Sequence, residues 1–410
     1  MRKYFTLFFS LLYVSAFTQQ KTLDYFIQQA VQNSPYFIEN KNQVESLRYD
    51  SLRIRALHKP QVNFDNNNLY APVINGFGYD NAITNGGVIS ALAGATIAFA
   101  SEQNLSNQFQ SIQLQRQSLQ LSGKLSEKDL KKNITTLYIT IFGEQEMLHH
   151  TEDILNVLQK ENLILKDLSE QGVYHETDYL TFLVNYKQQE LSYEQNKLQL
   201  QNDLAQLSYF CGVSDTSYFQ LAEPSLDQKN ALQSEQTLAF RQFMIDSLVA
   251  KNNYEKVKFD YKPHLNAFGD AGYNSSLSYQ AYKNFGISAG LHLIVPLYDG
   301  GQRNLRYEKI KLEETTRRTY MQFFKKQFAQ KFLQLQQQIT NTGRLITEAK
   351  DQLKLSDALV QANRKLLSTG DIKMTDYILA LTNYISAQST IVQLQINEMQ
   401  LKNELNFLNY

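Results

Sequence analysis

One ten-residue stretch occurs twice in the sequence, about half the chain apart, and this repeat constrains the fold more than any other feature. TDYLTFLVNY begins at Thr177, and TDYILALTNY begins 198 residues later at Thr375. A glycine precedes each stretch by five residues, Gly172 in the first copy and Gly370 in the second. KPQVNF is matched by KPHLNAF and NDLAQLSY by NELNFLNY, in the same order and at offsets of 203 and 201 residues. Three landmarks in one order predict a duplicated unit of about 200 residues.

The duplication predicts two tandem structural repeats with the same order of elements. The chain has only 6 Pro and 17 Gly in 410 residues, a composition typical of long helices. Each repeat is therefore expected to contain a helix, a strand pair, a long helix, a glycine turn and a last helix. The predicted boundaries are 19–212 for the first repeat, with strands in 60–100 and a turn at 171–176; 213–225 for the connecting segment; and 226–410 for the second repeat, with strands in 262–298 and a turn at 369–374.

The N-terminus has the pattern of an export signal. Arg2 and Lys3 precede an apolar run from Tyr4 to Val14, which is followed by small residues. This pattern predicts a signal peptide over 1–18, because the apolar run is too short to span a membrane. A buried N-terminal helix is the alternative. Cys211 is the single cysteine, so a disulfide within the chain is excluded.

The hydrophobic pattern changes along each repeat. In the second long helix, six apolar residues from Phe332 to Leu367 follow each other at intervals of seven, the period of a left-handed coiled coil. From Ile287 to Leu297 apolar residues occupy every second position, which predicts a strand with one apolar side. Such strands suit an outer-membrane barrel, although a small soluble sheet capping a helical bundle also fits. Four strands cannot close a barrel, so the barrel interpretation requires several copies of the chain around one axis.

One motif is specific enough to indicate a family. VPLYDGGQRNLRYEKIKLEE, from Val295, resembles the place where the last strand turns into the long helix in outer membrane efflux proteins of the TolC type. The matching residues are Pro296, Leu297, Tyr298, Asp299, Gly300, Gly301 and Arg303. KTLDYFIQQAVQNSP, from Lys21, resembles the opening helix of the same family, and the glycine turns resemble its periplasmic tip.

The resemblance implies a mostly α fold with a small β part. Three chains would form a homotrimer with a helical coiled-coil tunnel and a shared twelve-stranded transmembrane β-barrel, four strands from each chain. The implied location is the outer membrane of a Gram-negative bacterium, in contact with its lipid and with a large periplasmic extension. The implied partners are a periplasmic adaptor protein and an inner-membrane pump, which together perform efflux or type I secretion.

The resemblance also assigns roles to residues of the two turns. Gly172, Gly370 and Asp371 are expected at the tip that docks on the adaptor, and Asp178 and Asp376 are candidates for an entrance gate. Two positions depart from the family pattern. Ile372 stands where some members have an arginine that ties the closed tip, and Leu379 stands where a second acidic residue is known.

Other function classes find little support in the sequence. Basic and acidic residues balance at 40 each, which does not favour a nucleic-acid partner. No catalytic triad, metal-ligand spacing or phosphate loop is present, so we expect neither an enzyme nor a bound cofactor or metal. The competing hypothesis is a secreted or periplasmic coiled-coil scaffold that binds partners without forming a channel. The exported substrate, whether drug, metal or protein, is chosen by the pump and leaves no signature in this chain.

Overall fold

The computed structural model describes residues 20–80, 86–214, 218–226, 233–276 and 280–408. The predicted signal peptide, 1–18, lies outside these residues, as does 215–217 in the connecting segment. Seven helices and four strands are described in the order α1 (Leu23–Asn33), α2 (Pro35–Leu57), β1 (Gln61–Tyr70), β2 (Gly87–Phe99), α3 (Glu102–Glu170), α4 (Glu176–Phe210), α5 (Leu238–Asp260), β3 (His264–Ser275), β4 (Phe285–Ile294), α6 (Gln302–Thr369) and α7 (Met374–Leu408).

The first helix of each repeat differs in detail from the sequence expectation. The sequence predicts one helix before the first strand pair, whereas the structure has two, α1 and α2, separated by the extended residue Ser34. Pro35 explains the break, because proline disfavours a helical residue before it and fits the first position of a new helix. In the second repeat α5 begins at Leu238, after a single 3-10 turn at Ser234–Gln236.

The described residues form two compact units, and each unit takes parts from both sequence repeats. One contains the residues up to Phe37, Leu125–Thr237 and the residues from Lys326 onward. The other contains Ile38–Lys124 and Leu238–Lys325, and therefore all four strands. The first unit is helical, and the second combines helices with the sheet.

The four strands form one antiparallel sheet in the order β1-β2-β3-β4. The pairing runs without interruption across the sheet: Gln61 lies opposite Thr96, Thr96 opposite Phe268, and Phe268 opposite Gly290. Strand β1 pairs only with β2, and β4 only with β3. Each therefore has one edge whose backbone groups have no strand partner among the described residues.

The register places most of the apolar residues of the four strands on one face, together with Asn66 and Asn68 of β1. Residues that lie directly opposite each other share a face of the sheet, so the pairing assigns every position. The apolar face carries Val62, Phe64, Ile89, Ala91, Ala93, Ala95, Ile97, Phe99, Leu265, Ala267, Ala271, Ile287, Ala289, Leu291 and Leu293. Ile287 is 88% exposed and Leu291 is 72% exposed in the single chain. An apolar face this exposed requires a covering partner or a lipid environment.

The opposite face of the sheet is more polar. It carries Asn63, Asp65, Asn67, Asn266, Asp270, Ser288 and His292, together with the apolar residues Leu69, Val88, Leu92, Phe268 and Ile294. The Ser288 hydroxyl donates a hydrogen bond to Asp270 Oδ2 at 2.6 Å across the β3–β4 pair. The ring of Phe268 lies over Gly290, where a Cβ atom would meet the ring at 2.6 Å. The sheet thus has the two-sided character that the alternation in β4 predicts.

Two buried clusters hold the helical unit together. One joins α1, α3 and α4 around Phe26, Tyr138 and Leu207, and includes the buried Cys211. The Tyr138 hydroxyl lies 2.9 Å from the carbonyl oxygen of Lys21 and 2.6 Å from that of Ala222. Burial raises the pKa of the Cys211 thiol to about 12, so the thiolate required for reactivity is absent at neutral pH.

The second cluster lies where α3, α4, α6 and α7 meet. Its buried members are Ile154, Leu158, Leu165, Tyr174, Phe182, Val360, Leu367, Met374, Tyr377, Ala380 and Leu381. In α6 the buried residues Ile346 and Val360 belong to the predicted seven-residue series. Leu335, Thr342 and Ala349, also buried, each follow a member of that series by three residues. This second cluster lies beside the two glycine turns.

Candidate functional site

The two predicted turns have the same backbone geometry. Gly172 has φ +77° and Gly370 has φ +78°, a left-handed conformation that favours glycine. After α3, Val173 N–H donates to Leu168 O at 2.9 Å, and Gly172 N–H donates to Ser169 O at 3.0 Å. After α6, Asp371 N–H donates to Leu366 O at 3.0 Å in the same way. Both helices therefore end in a Schellman motif with glycine at its centre.

A tyrosine joins the two turns. The Tyr174 hydroxyl lies 3.0 Å from Leu367 O and 3.1 Å from Ile372 O, so the first turn is tied to the second through backbone carbonyls. Tyr174 is buried, and its pKa is raised by burial first and then by the carboxylates of Asp178 and Asp371. Tyr174 follows Gly172 by two residues, and Ile372 occupies the equivalent position after Gly370. Because isoleucine has no hydroxyl, only the first repeat supplies this hydrogen-bonding side chain.

The surroundings of the two glycines differ. A Cβ atom added at Gly172 would meet nothing within 4 Å. At Gly370 it would meet Val173 Cγ1 at 2.8 Å, closer than van der Waals contact allows. The Gly172 turn is therefore open to an approaching partner, whereas the Gly370 turn packs against its neighbour in the same chain.

The structure gives the two predicted gate residues different surroundings. Asp178 is half-buried in the first turn of α4, where its Oδ2 accepts a hydrogen bond from His175 N–H at 3.3 Å. Its negative charge also suits the N-terminus of a helix. Asp376 is exposed in the first turn of α7, and its carbonyl oxygen accepts a bond from Asn363 Nδ2 at 3.4 Å. Asp371 is exposed in the second turn, where its Oδ2 accepts from Thr369 Oγ1 at 2.7 Å.

An ion pair between a buried glutamate and a partly exposed arginine lies one to three helical turns from the Schellman motifs. Glu161 of α3 is 1% exposed, and its Oε1 lies 2.7 Å from Arg364 Nε of α6. Burial raises the pKa of Glu161 and outweighs the opposing effect of Arg364. The Tyr377 phenol of α7 faces the same carboxylate, and its pKa is raised by burial and by Glu161. Sequence reasoning missed this cluster, because its three members lie on three helices at unrelated spacings.

The motif from Pro296 to Arg303 starts the long helix α6. Asp299 Oδ1 accepts from Gly301 N–H at 2.9 Å, and Asp299 Oδ2 accepts from Arg303 N–H at 2.7 Å. The Arg303 N–H bond is the main cause that lowers the pKa of Asp299. Gly300 and Gly301 have φ +67° and +84°, which allows the chain to reverse between the end of β4 and the helix. Leu297 and Tyr298 are almost fully exposed, and Pro296 lies just before them in the segment that follows β4.

Two further searches of the described ranges gave no candidate. No group of three or more His, Cys, Asp or Glu side chains in those ranges is placed to hold a metal ion. No helix in the described part of the chain is long and apolar enough to cross a membrane.

The comparisons with known proteins identify the fold. The structure of CusC, a protein that forms a transmembrane channel, superposes with TM-score 0.78 and 12% identity over 95% of this chain and 92% of that one. VceC, an outer membrane protein of Vibrio cholerae, gives TM-score 0.77 and 11% identity over 94% and 96%. The open MtrE outer membrane channel of Neisseria gonorrhoeae gives TM-score 0.73 and 11% identity over 94% and 88%. No family model matches the sequence, and no curated protein matches it.

These superpositions cover nearly the whole of both chains at identities that establish shared fold only. The predicted resemblance to TolC-type outer-membrane channels is confirmed at that level: the chain is mostly helical, with a small four-stranded sheet. Two of the solved structures named above, CusC and MtrE, are those of channel proteins.

Proposed function

We propose that the chain is the outer-membrane exit duct of a tripartite efflux or type I secretion system. Three copies contribute four strands each to a twelve-stranded barrel in the outer membrane, and their helices form a tunnel in the periplasm. The duct is a passive channel that docks on a periplasmic adaptor and, through it, serves an inner-membrane pump.

The observation that carries this proposal is the sheet. One face carries most of the apolar residues of the four strands, the other is more polar, and the edges of β1 and β4 have no strand partner among the described residues. In lipid, each unpaired backbone group costs several kcal/mol, so an open sheet is stable there only when its edges are closed by further strands. A minimum of eight strands is needed for closure, and three copies supply twelve.

Membrane extraction and native mass spectrometry test the proposal. We expect the protein to remain with outer membranes until detergent is added, and to have the mass of three chains in mild detergent. A chain that is released without detergent as a monomer would support the scaffold hypothesis instead and refute the duct.

For the adaptor we propose docking at the paired turns. The Gly172 turn supports this proposal, because no atom lies within 4 Å of the position where a side chain would begin. Asp371 is exposed beside it and offers a carboxylate to a partner. Asp178 and Asp376 remain candidates for the gate at the entrance to the tunnel. Because Asp178 caps α4, Asp376→Asn is the cleaner test of a gate that depends on charge.

Valine substitution in the turns tests docking separately from barrel assembly. Gly172→Val and Gly370→Val place a β-branched side chain at a positive φ, and should abolish export while the amount of outer-membrane trimer stays near that of the parent. Gly343→Val is the matched control, since Gly343 lies inside α6 with open space around it. Crosslinking from Asp371 should capture the adaptor in the parent and lose it in Gly370→Val. Normal export by both turn variants would show that docking occurs elsewhere.

A further inference from the structure

The sheet has two free edges of equal length. Strands β1 and β4 each contain 10 residues, and among the described residues each pairs with another strand on one side only. We propose that β4 of one copy pairs antiparallel with β1 of a second copy of this chain, with Ile294 opposite Gln61 and Phe285 opposite Tyr70. The proposal rests on the three-copy barrel proposed above and specifies the contact that closes it.

The first constraint on this contact is the continuity of the two faces. In β1 the even-numbered residues lie on the apolar face, and in β4 the odd-numbered residues do. A ladder that keeps the apolar face unbroken must therefore place even residues of β1 opposite odd residues of β4. A slip of one residue would turn every side chain of the strand to the wrong face.

The hydrogen-bonding phase of the edges agrees with this constraint. Ala71 N–H donates to Gly86 O at 3.0 Å, so odd positions of β1 direct their N–H groups toward β2 and even positions direct theirs to the free edge. Asn274 N–H donates to Asn284 O at 3.1 Å, so odd positions of β4 direct theirs to the other free edge. Even-numbered residues of β1 and odd-numbered residues of β4 thus direct their N–H and C=O groups to the free edges, where they can pair with each other in a new ladder.

The second constraint is the direction of the stagger, which is the number of residues by which a line of paired residues advances along β1 from one copy to the next. For L-residues, these N–H directions place β2 to the left of β1 when the apolar face is toward the viewer and β1 points upward. The twist of natural sheets makes strands of a closed barrel lean to the right when seen from outside. Paired residues lie on lines perpendicular to the strands, so a line followed to the left from Gln61 also rises along the barrel axis. It therefore reaches β1 of the next copy at a position later in that strand than Gln61. With the apolar face outward, the stagger must advance along β1.

The size of the advance follows from barrel geometry. Within one chain, the line of paired residues that starts at Gln61 of β1 crosses β2 and β3 and ends at Gly290 of β4. For twelve strands, an advance of two residues per copy gives a tilt of about 20°, four gives about 35° and six gives about 47°, using the usual strand rise and spacing. Observed barrels tilt by about 35–45°. An advance of four is the even value inside this range, and it places Ile294 opposite Gln61.

The side chains match in this register. All ten residues of each strand find a partner, whereas an advance of six would leave two residues of each strand unpaired. On the apolar face Phe64 meets Leu291 and Val62 meets Leu293. On the polar face Asn63 meets His292. The contact therefore continues the two faces of the sheet, although toward Tyr70 the apolar face places Asn66 and Asn68 opposite Ala289 and Ile287.

Disulfide trapping in the full-length protein tests the register. His292→Cys is combined in turn with Gln61→Cys, Asn63→Cys and Asp65→Cys, which report advances of two, four and six residues. These odd β1 positions would form non-hydrogen-bonded pairs with Cα atoms about 4.5 Å apart, a spacing that suits a disulfide. Within one chain β1 and β4 are three strand spacings, about 14 Å, apart, so a disulfide must join two copies.

We expect the Asn63→Cys pair to form covalent oligomers after mild oxidation, at least tenfold more than either neighbouring pair, and each single variant to form none. Stronger crosslinking through Gln61→Cys or Asp65→Cys would overturn the register but not the barrel. Trimers that crosslink through none of the three pairs would overturn the β1–β4 contact. A monomer in mild detergent would instead refute the proposed function on which the inference rests.

Discussion

Replacing Gly172 and Gly370 of the two turns by alanine, with Gly343 of α6 as the comparison, separates the left-handed turns from ordinary helix positions. Gly172→Ala and Gly370→Ala place a Cβ at φ +77° and +78°, which costs about 1–2 kcal/mol. Gly370→Ala also brings its Cβ to 2.8 Å from Val173 Cγ1, so it should cost more than Gly172→Ala, whose Cβ has free space. Gly343→Ala lies in a regular part of α6 and should stabilise by about 0.5–1 kcal/mol.

Hydrogen exchange measured on peptides from the two turns is the suitable assay, because a large assembly does not unfold in one step. A change of about 1.4 kcal/mol in local opening alters the exchange rate roughly tenfold. We expect exchange near Leu366 and Asp371 to rise at least tenfold in Gly370→Ala, less near Val173 in Gly172→Ala, and not at all in Gly343→Ala. Equal exchange in Gly370→Ala and the parent would refute the left-handed turn.

Three further variants test other parts of the structure. Leu291→Arg on the apolar face of β4 should destabilise the assembled protein by about 2–4 kcal/mol and reduce trimer levels, whereas His292→Arg on the polar face should leave them unchanged; equal levels would mean that the faces are assigned wrongly. Burial first, and then the Asp203 carboxylate, raises the pKa of Glu144 to about 7. The stability that protonated Glu144 contributes is present below about pH 4.5 and lost as pH rises through about 7. Glu144→Gln should therefore reduce the fall in melting temperature between about pH 5 and 8. An unchanged dependence of melting temperature on pH would exclude Glu144 as the source of that fall. Tyr174→Phe removes the hydroxyl that joins the two turns and should cost about 1 kcal/mol, seen as faster exchange near Leu367 and Ile372; unchanged exchange there would show that the hydrogen bond adds no stability.

The sequence alone determined the local features of this protein. Alternation from Ile287 onward specifies a strand with one apolar side, because side chains of a strand point to opposite faces in turn. Gly172 and Gly370 mark helix ends because positive φ costs glycine almost nothing. The Asp299 motif marks the start of α6, since a short acceptor side chain satisfies the free N–H groups of a helix N-terminus. Each of these inferences depends on residues a few positions apart.

Tertiary structure decided what depends on residues far apart in the chain. The pairing of β2 with β3 joins the two repeats in one sheet, and only that register shows that most apolar residues of the four strands share one face. The tie from Tyr174 to Leu367 and the Glu161–Arg364 pair connect helices that lie about 200 residues apart in sequence. No periodicity encodes such contacts, because they arise from how whole helices and strands pack against one another rather than from the preferences of the residues within them.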